Sequence, residues 1–149
     1  MKKYSYDLKE VLNSTFSHWY QSREESCENC TSSNIMFKNE LVLTKDIIVI
    51  HFILFSLQNG KMMKTNKIHL RAVPTTKVLV AGQSYKVMNA IFHHGPSIEE
   101  GHYTSICRDG TSNGWIEVDD TNIRKTSWPR NAKNVCMLFL RKSIKKYSF

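Results

Sequence analysis

The sequence predicts an α+β fold, with one antiparallel sheet as its core and an amphipathic helix at the N-terminus. Three observations carry this expectation. Apolar residues fall at helical spacing at Leu8, Val11, Leu12, Phe16 and Trp19, with Lys9, Asn13 and Ser17 on the other side. From Ile47 onward, apolar and β-branched residues instead gather in short runs separated by Gly, Asn and Asp turn signals. A chain of 149 residues, 41% of them hydrophobic, is long enough for one domain with a real core and too short for two ordinary ones.

In chain order, the helix is expected over residues 7 to 20, packed on the sheet. Gln21 to Asn34 is polar and reads as a loop or short hairpin carrying Cys27-Glu28-Asn29-Cys30. Ile47 to Leu57 is apolar almost throughout, which suits a strand covered on both faces. Asn59-Gly60 signals a turn, and Lys61 to Asn66 is polar enough to be an exposed connection. Shorter strands are expected near Ile68 to Val73 and Lys77 to Val80. Tyr85 to His93, Tyr103 to Arg108, Gly114 to Val118 and Val135 to Arg141 then read as antiparallel strands, the middle pair joined by a turn from Arg108 to Gly114.

Composition narrows the function classes. The chain shows no internal repeat, low-complexity tract or Gly/Ser linker. It lacks a signal-peptide pattern, and its longest apolar run is interrupted by His51 and falls well short of the roughly 20 residues a membrane helix needs. A soluble intracellular protein, cytoplasmic or nuclear, is expected, so the four cysteines read as reduced thiols or metal ligands before disulfides. A net charge of +8 raises the question of nucleic acid. The basic residues are spread, however, and their densest cluster, Arg141, Lys142, Lys145 and Lys146, has no interleaved aromatics, so a solvated tail is expected and no nucleic-acid partner.

The chemistry concentrates near the end of the chain. Gly101-His102-Tyr103 is followed by Gly114-Trp115-Ile116-Glu117-Val118-Asp119-Asp120, and the interval from His102 to Asp119 leaves room for one hairpin. Adjacent strands could then set a carboxylate beside the imidazole, the base-and-orienter arrangement that a thiol nucleophile needs. Upstream stand Tyr85-Lys86-Val87-Met88-Asn89-Ala90-Ile91 and His94-Gly95, and downstream Ala132 to Arg141. In order and spacing these segments resemble the C-terminal catalytic box of the ubiquitin-specific proteases, the papain-like cysteine deubiquitinases. That pattern runs tyrosine-x-leucine-x-alanine-valine, histidine-x-glycine, glycine-histidine-tyrosine, a tryptophan, a paired aspartate and a final core strand.

The likeness reaches backwards more loosely. Thr44 to Phe55 resembles the family's proline-preceded isoleucine-histidine-leucine-lysine-arginine-phenylalanine segment, without the prolines and with Ile53 and Leu54 in place of the basic pair. Leu8 to Trp19 and Cys27-x-x-Cys30 resemble its helix and the second cysteine pair of its fingers. The resemblance thus implies one partial domain over residues 1–149, strongest over 85–141, with the fold of the fingers-and-palm C-terminal half.

It also implies thiol-dependent hydrolysis of ubiquitin isopeptide bonds, with ubiquitin or a ubiquitinated protein as partner. His102 would be the general base, Asp119 its orienter, and Asp120, facing the other way along a continuing strand, a water-mediated partner of the substrate carbonyl. Gly101 would let the substrate backbone approach, Glu99 and Glu100 would meet the basic ubiquitin tail, Tyr103 would border it, and His94, taken as the histidine before Gly95, would line the cleft. His93 and His94 alternate along a strand and should point oppositely. Nothing before Cys27 has the form of the family's nucleophile box, and Cys107 and Cys136 follow the base, so none of the four thiols is expected as nucleophile. A separate N-terminal protease half would have to supply it. Without one, the chain reads as an inactive ubiquitin-binding or partner-docking module. Cys27 and Cys30 are half of a zinc site, since structural zinc takes four ligands, and no cofactor is expected from them alone.

Overall fold

The computed structural model describes residues 5–17, 20–23, 26–30, 32–33, 35–38, 41, 44–64, 69–70, 77–112, 114–130 and 132–143. After a two-residue strand β1 (Ser5–Tyr6), helix α1 spans Leu8–Ser17. Its start is written in Asp7-x-x-Glu10. The Asp7 carboxylate accepts from the Lys9 amide at 2.8 Å, and Glu10 reaches back to accept from the Asp7 amide at 3.1 Å, a reciprocal cap on two otherwise orphaned donors. The helix is shorter than expected, and His18 and Trp19 lie outside the described residues. Leu8 and Leu12 are buried in the core, as their spacing requires.

Strands β2 (Tyr20–Arg23) and β3 (Ile35–Lys38) pair antiparallel, so the polar stretch is a hairpin whose far end carries the cysteine pair. Strand β4 (Ile47–His51) stops earlier than expected, and Phe55 begins a separate strand, β5 (Phe55–Gln58). The expectation of one continuous strand covered on both faces is corrected: β4 is a sheet edge, and Ile47 and Val49 are 62% and 51% exposed. Its ladder ends where its partner bulges, the Phe52 amide donating to the Cys136 carbonyl at 2.8 Å before the chain turns away. Asn59 and Gly60, both at positive φ, make the expected turn. The residues after it are not a mere connection, because Lys61–Lys64 forms β6 and pairs with β5.

Strand β7 (His69–Leu70) is what is described of the expected 68–73 strand, and it joins β1 and the short β13 (Ala132–Lys133). Strand β8 (Val78–Val80) turns through Ala81 and Gly82, both at positive φ, into the twelve-residue β9 (Gln83–His94). There follow β10 (His102–Arg108), β11 (Trp115–Asp119), β12 (Asn122–Thr126) and β14 (Val135–Lys142). The main sheet runs β12-β11-β10-β9-β14-β4, with β8 also on β9, and every pairing in it is antiparallel. Strand β12 was not anticipated, because Asn-Ile-Arg-Lys-Thr is polar and almost wholly exposed and so shows no alternation.

The long strand β9 explains why the core residues read Tyr85, Val87, Ala90 and Phe92 rather than strictly alternating. Opposite Phe139 and Leu140 the ladder steps from Asn89 to Val87, so Met88 is an inserted residue that shifts the phase by one. Both halves of the strand then face the same core, with Leu138, Leu140, Val78, Val80 and α1. The buried Tyr85 hydroxyl donates to the Lys45 carbonyl at 2.7 Å, which removes the cost of burying it.

Candidate active site

Strand register builds the pairing of His102 with Asp119. The β10–β11 ladder matches Ser105 with Val118, which carries Asp119 toward the position across from Thr104. Thr104 and His102 share a face, so Asp119 lies diagonally across from His102, within reach of long side chains. The His102 Nε2 and Asp119 Oδ1 atoms are hydrogen-bonded, both side chains being 46% exposed. The bond to Asp119, opposed by desolvation and aided by the charges of Asp120 and then Asp119, raises the His102 pKa above its ordinary value.

Asp120 does not continue the strand to the opposite face. It sits in the turn to β12 at φ 50°, and its carboxylate oxygen lies with the His102 and Asp119 ligand atoms in a group within 4.8 Å of one another. The expectation that it faces away is therefore corrected: the left-handed turn brings it round to the imidazole. The loop between β10 and β11 is organised by Asp109, which accepts from the Thr111 amide at 2.9 Å and from the hydroxyls of Thr111 and Ser112 at 2.7 Å each. Those bonds, Ser112 first, lower its pKa to about 2.

The remaining expected residues fall at the His102 end of β10, in the loop before it and at the end of β9. Glu99 and Glu100 are exposed, with the Glu100 amide donating to the Ser97 hydroxyl at 3.1 Å. Tyr103 is half exposed, and its ring meets that of His93 at 4.8 Å. At Gly101 the close approach comes from within the chain: a Cβ there would stand 2.1 Å from His93 Nε2. His94 is opposite His102 in the ladder, its Nε2 is 2.8 Å from Thr104 Oγ1, and its ring is parallel to Phe92 at 6.4 Å. It lines a cavity of about 380 Å³ with Phe92, Thr104, Glu117, Arg130 and Lys133.

His93 and Lys64 were missed. His93 is 1% exposed, on the face opposite His94, and it holds the first position of histidine-x-glycine in His93-His94-Gly95. That position was the available signal. Lys64 gave no signal, since a lysine in a polar segment reads as solvated.

None of the described thiols meets the base. Cys107 is on the opposite face of β10, its thiol 3.7 Å from the Ile116 carbonyl. Cys136 is buried at the bulge of β14, its thiol donates to the Ile91 carbonyl at 3.3 Å, and burial pushes its pKa up. Cys27 is held differently. Its amide donates to the Ser32 carbonyl at 2.9 Å, and hydrogen bonds from the Asn29 backbone and then from Cys30 lower its pKa. Two thiols side by side offer half of a tetrahedral zinc shell, and among the described residues no His, Asp or Glu joins them.

A carboxylate hydrogen-bonded to an imidazole on a neighbouring antiparallel strand is an arrangement that can fix the ring's tautomer and orientation. The chain belongs to the ubiquitin carboxyl-terminal hydrolase family, whose match covers residues 2–140, and within it to the ubiquitin-specific proteases. It is 31% identical over 49 residues to ubiquitin carboxyl-terminal hydrolase 10-B of Xenopus laevis, covering 33% of this chain and 6% of that protein. It is 44% identical over 39 residues to ubiquitin carboxyl-terminal hydrolase 3 of Saccharomyces cerevisiae, covering 26% of this chain and 4% of that protein. Among solved structures it is similar to the SAGA Ubp8/Sgf11/Sus1/Sgf73 DUB module, with a TM-score of 0.63, 18% identity, 95% of this chain and 33% of that chain. The same module bound to ubiquitin aldehyde gives 0.61, 19%, 93% and 34%. An essential yeast splicing factor gives 0.54, 17%, 70% and 27%. The chain thus spans about a third of the solved chains it resembles. No helix among the described residues is long and apolar enough to cross a membrane.

Proposed function

We propose that this chain carries the base-and-orienter half of a thiol-dependent ubiquitin hydrolase, the nucleophile coming from an N-terminal protease segment. The observation that carries the reading is the His102–Asp119 pair, set by strand register within the family's ordered motif. In the reaction, a thiolate supplied from that segment attacks the isopeptide carbonyl. His102, having taken the thiol proton, delivers it to the leaving lysine amine, and a water activated by the same imidazole then releases the acyl group from sulfur. Asp119 fixes the ring and stabilises the imidazolium. Asp120, turned toward the same imidazole, adds to that stabilisation. Glu99 and Glu100 offer exposed carboxylates to a basic peptide tail, Tyr103 and Gly101 border its path, and His94 lines the cavity beside it. An intracellular setting, cytoplasmic or nuclear, fits a ubiquitin substrate.

The test is a ubiquitin bearing a thiol-reactive C-terminal warhead. The chain alone is expected to form no adduct, because Cys107 and Cys136 are turned away from His102. A stoichiometric adduct lost in Cys107→Ser would overturn that placement. Adding the N-terminal half of a related protease is expected to give hydrolysis that His102→Ala abolishes.

A second reading, an inactive ubiquitin-binding or partner-docking module, is favoured by one observation. The fold is shared with a structure described as a splicing factor, so it does not by itself demand hydrolysis. Ubiquitin binding without restored hydrolysis would move this reading ahead.

A further inference from the structure

The hairpin β5–β6 reaches the end of β9 and grips one side chain. Its cross-strand pair Phe55 and Lys64 brings a ring and an ammonium to the same place. The Phe55 ring meets the edge of His93 at 5.2 Å, and Lys64 Nζ lies 3.2 Å from His93 Nδ1. The same ammonium donates to the His93 carbonyl and, at 3.1 Å, to the Gly95 carbonyl. An ammonium has three protons and no acceptor, so these three partners exhaust it. His93 Nδ1 must then accept, which assigns the neutral ring's proton to Nε2.

That Nε2 edge faces Gly101. A Cβ on Gly101 would come within 2.1 Å of it, and a Cβ on Gly95 would stand 2.3 Å from the Glu100 carbonyl oxygen, so the 95–101 loop is closed on His93 and on itself. Gly101 immediately precedes His102. The Tyr103 ring, one residue after the base, contacts His93 from β10. The residues on both sides of His102 are thus seated on one buried imidazole, and that imidazole is held by one lysine.

We infer that Lys64 is a positioning residue: through His93 and Gly101 it fixes the backbone on which His102 stands. Its functional consequence rests on reading His102 as the base, whereas the network does not. Burial lowers the His93 pKa, with Lys64 and then His94 adding to that effect, in agreement with an accepting Nδ1.

Side-chain nitrogen NMR of the full chain tests this directly. Unmutated protein is expected to show His93 as a single Nε2–H tautomer between about pH 6 and 8. In Lys64→Met, which keeps the apolar stem, the tautomers should mix. Amide exchange across Gly95 to Gly101 should rise about tenfold or more. The His102 midpoint should fall toward its ordinary value as the bond to Asp119 is made less often. An unchanged His93 tautomer would overturn the network, and mixing at His93 with no movement at His102 would overturn the positioning role. If Lys64→Met does not fold, unmutated protein decides: slowly exchanging Lys64 ammonium protons coupled across the hydrogen bond to His93 Nδ1 support the inference, and their absence refutes it. Failure of the hydrolase reading, seen as an inactive reconstituted enzyme, leaves every one of these signals in place.

Discussion

Two pairs of reactive side chains stand at different places in this chain, and they are assembled by different physics. Cys27 and Cys30 meet because a turn closes locally between the Cys27 amide and the Ser32 carbonyl. His102 and Asp119 meet because two strands pair in one register, and a slip by a single residue would send one of them to the other face. The first pair needs only its own few residues. The second needs the sheet. Disturbances to the core should therefore reach the His102 end and leave the cysteine turn alone, and changes at the cysteines should stay local.

The largest effect is expected at the base. In an enzyme reconstituted with an N-terminal half, His102→Ala should lower kcat/KM for a fluorogenic ubiquitin substrate by about 10³-fold or more, since general acid–base catalysis supplies 10²–10⁴-fold. Asp119→Ala should lower it less, because an unoriented imidazole still samples the productive tautomer. An active reconstituted enzyme whose rate ignored His102→Ala would show that strand register has built an ordinary structural pair.

Next comes the packing behind the base. Gly101→Ala would place a methyl 2.1 Å from His93 Nε2, and the ring cannot retreat because Phe55, Tyr103 and Lys64 hold it. Overpacking of this kind costs about 1–3 kcal/mol, to be read as a lower urea midpoint at unchanged m-value. A neutral Gly101→Ala would mean that the loop relaxes independently of His93, which would weaken the contrast between sheet-built and turn-built sites.

The loop joining β10 to β11 should announce itself at low pH. Asp109 is held ionised by Ser112 and Thr111, its pKa lowered from 3.8 to about 2. A depressed folded-state pKa adds stability that is present above 3.8 and is lost as pH falls toward 2. Asp109→Asn should remove that part of the acid dependence of thermal unfolding. The opposite sign applies to His102, whose pKa is raised from 6.5. Its pairing with Asp119 adds stability that is fully present below 6.5 and fades as pH climbs through the raised value, so Asp119→Asn should flatten the stability profile on that side only.

How much of this was legible follows from the same contrast. The Asn59-Gly60 turn and the loop or hairpin carrying the cysteines are local, and residues 59–60 and 21–34 carry their signals within a few positions; the Asp7-x-x-Glu10 cap is equally local and went unread. The antiparallel strands from Tyr85 on were legible because their apolar residues recur and because the motif order fixes their neighbours. What was lost depended on long-range partners. β4 looked doubly covered because its apolar run is unbroken, yet whether a strand is an edge depends on what lies beyond it. β12 is a polar strand that exists because β11 offers it a ladder. Asp120 needed the turn's handedness, and Lys64 needed the end of a strand 29 residues away in sequence.

The smallest effect is expected at the cysteines. In Cys27→Ser/Cys30→Ser the turn keeps its backbone bond from Cys27 to Ser32, the substituted side chains are half-buried or exposed, and neither belongs to the hydrophobic core cluster of the described residues. Surface changes of that kind stay within about 0.5 kcal/mol, so the urea midpoint should not move. The half shell also predicts less than one tightly held zinc per purified chain, measured by elemental analysis, because two thiolates leave two coordination positions to water. One zinc per chain, lost together with stability in Cys27→Ser, would reverse the comparison: the cysteine turn would then be held by ligands from elsewhere in the fold, and it too would depend on long-range assembly rather than on its own few residues.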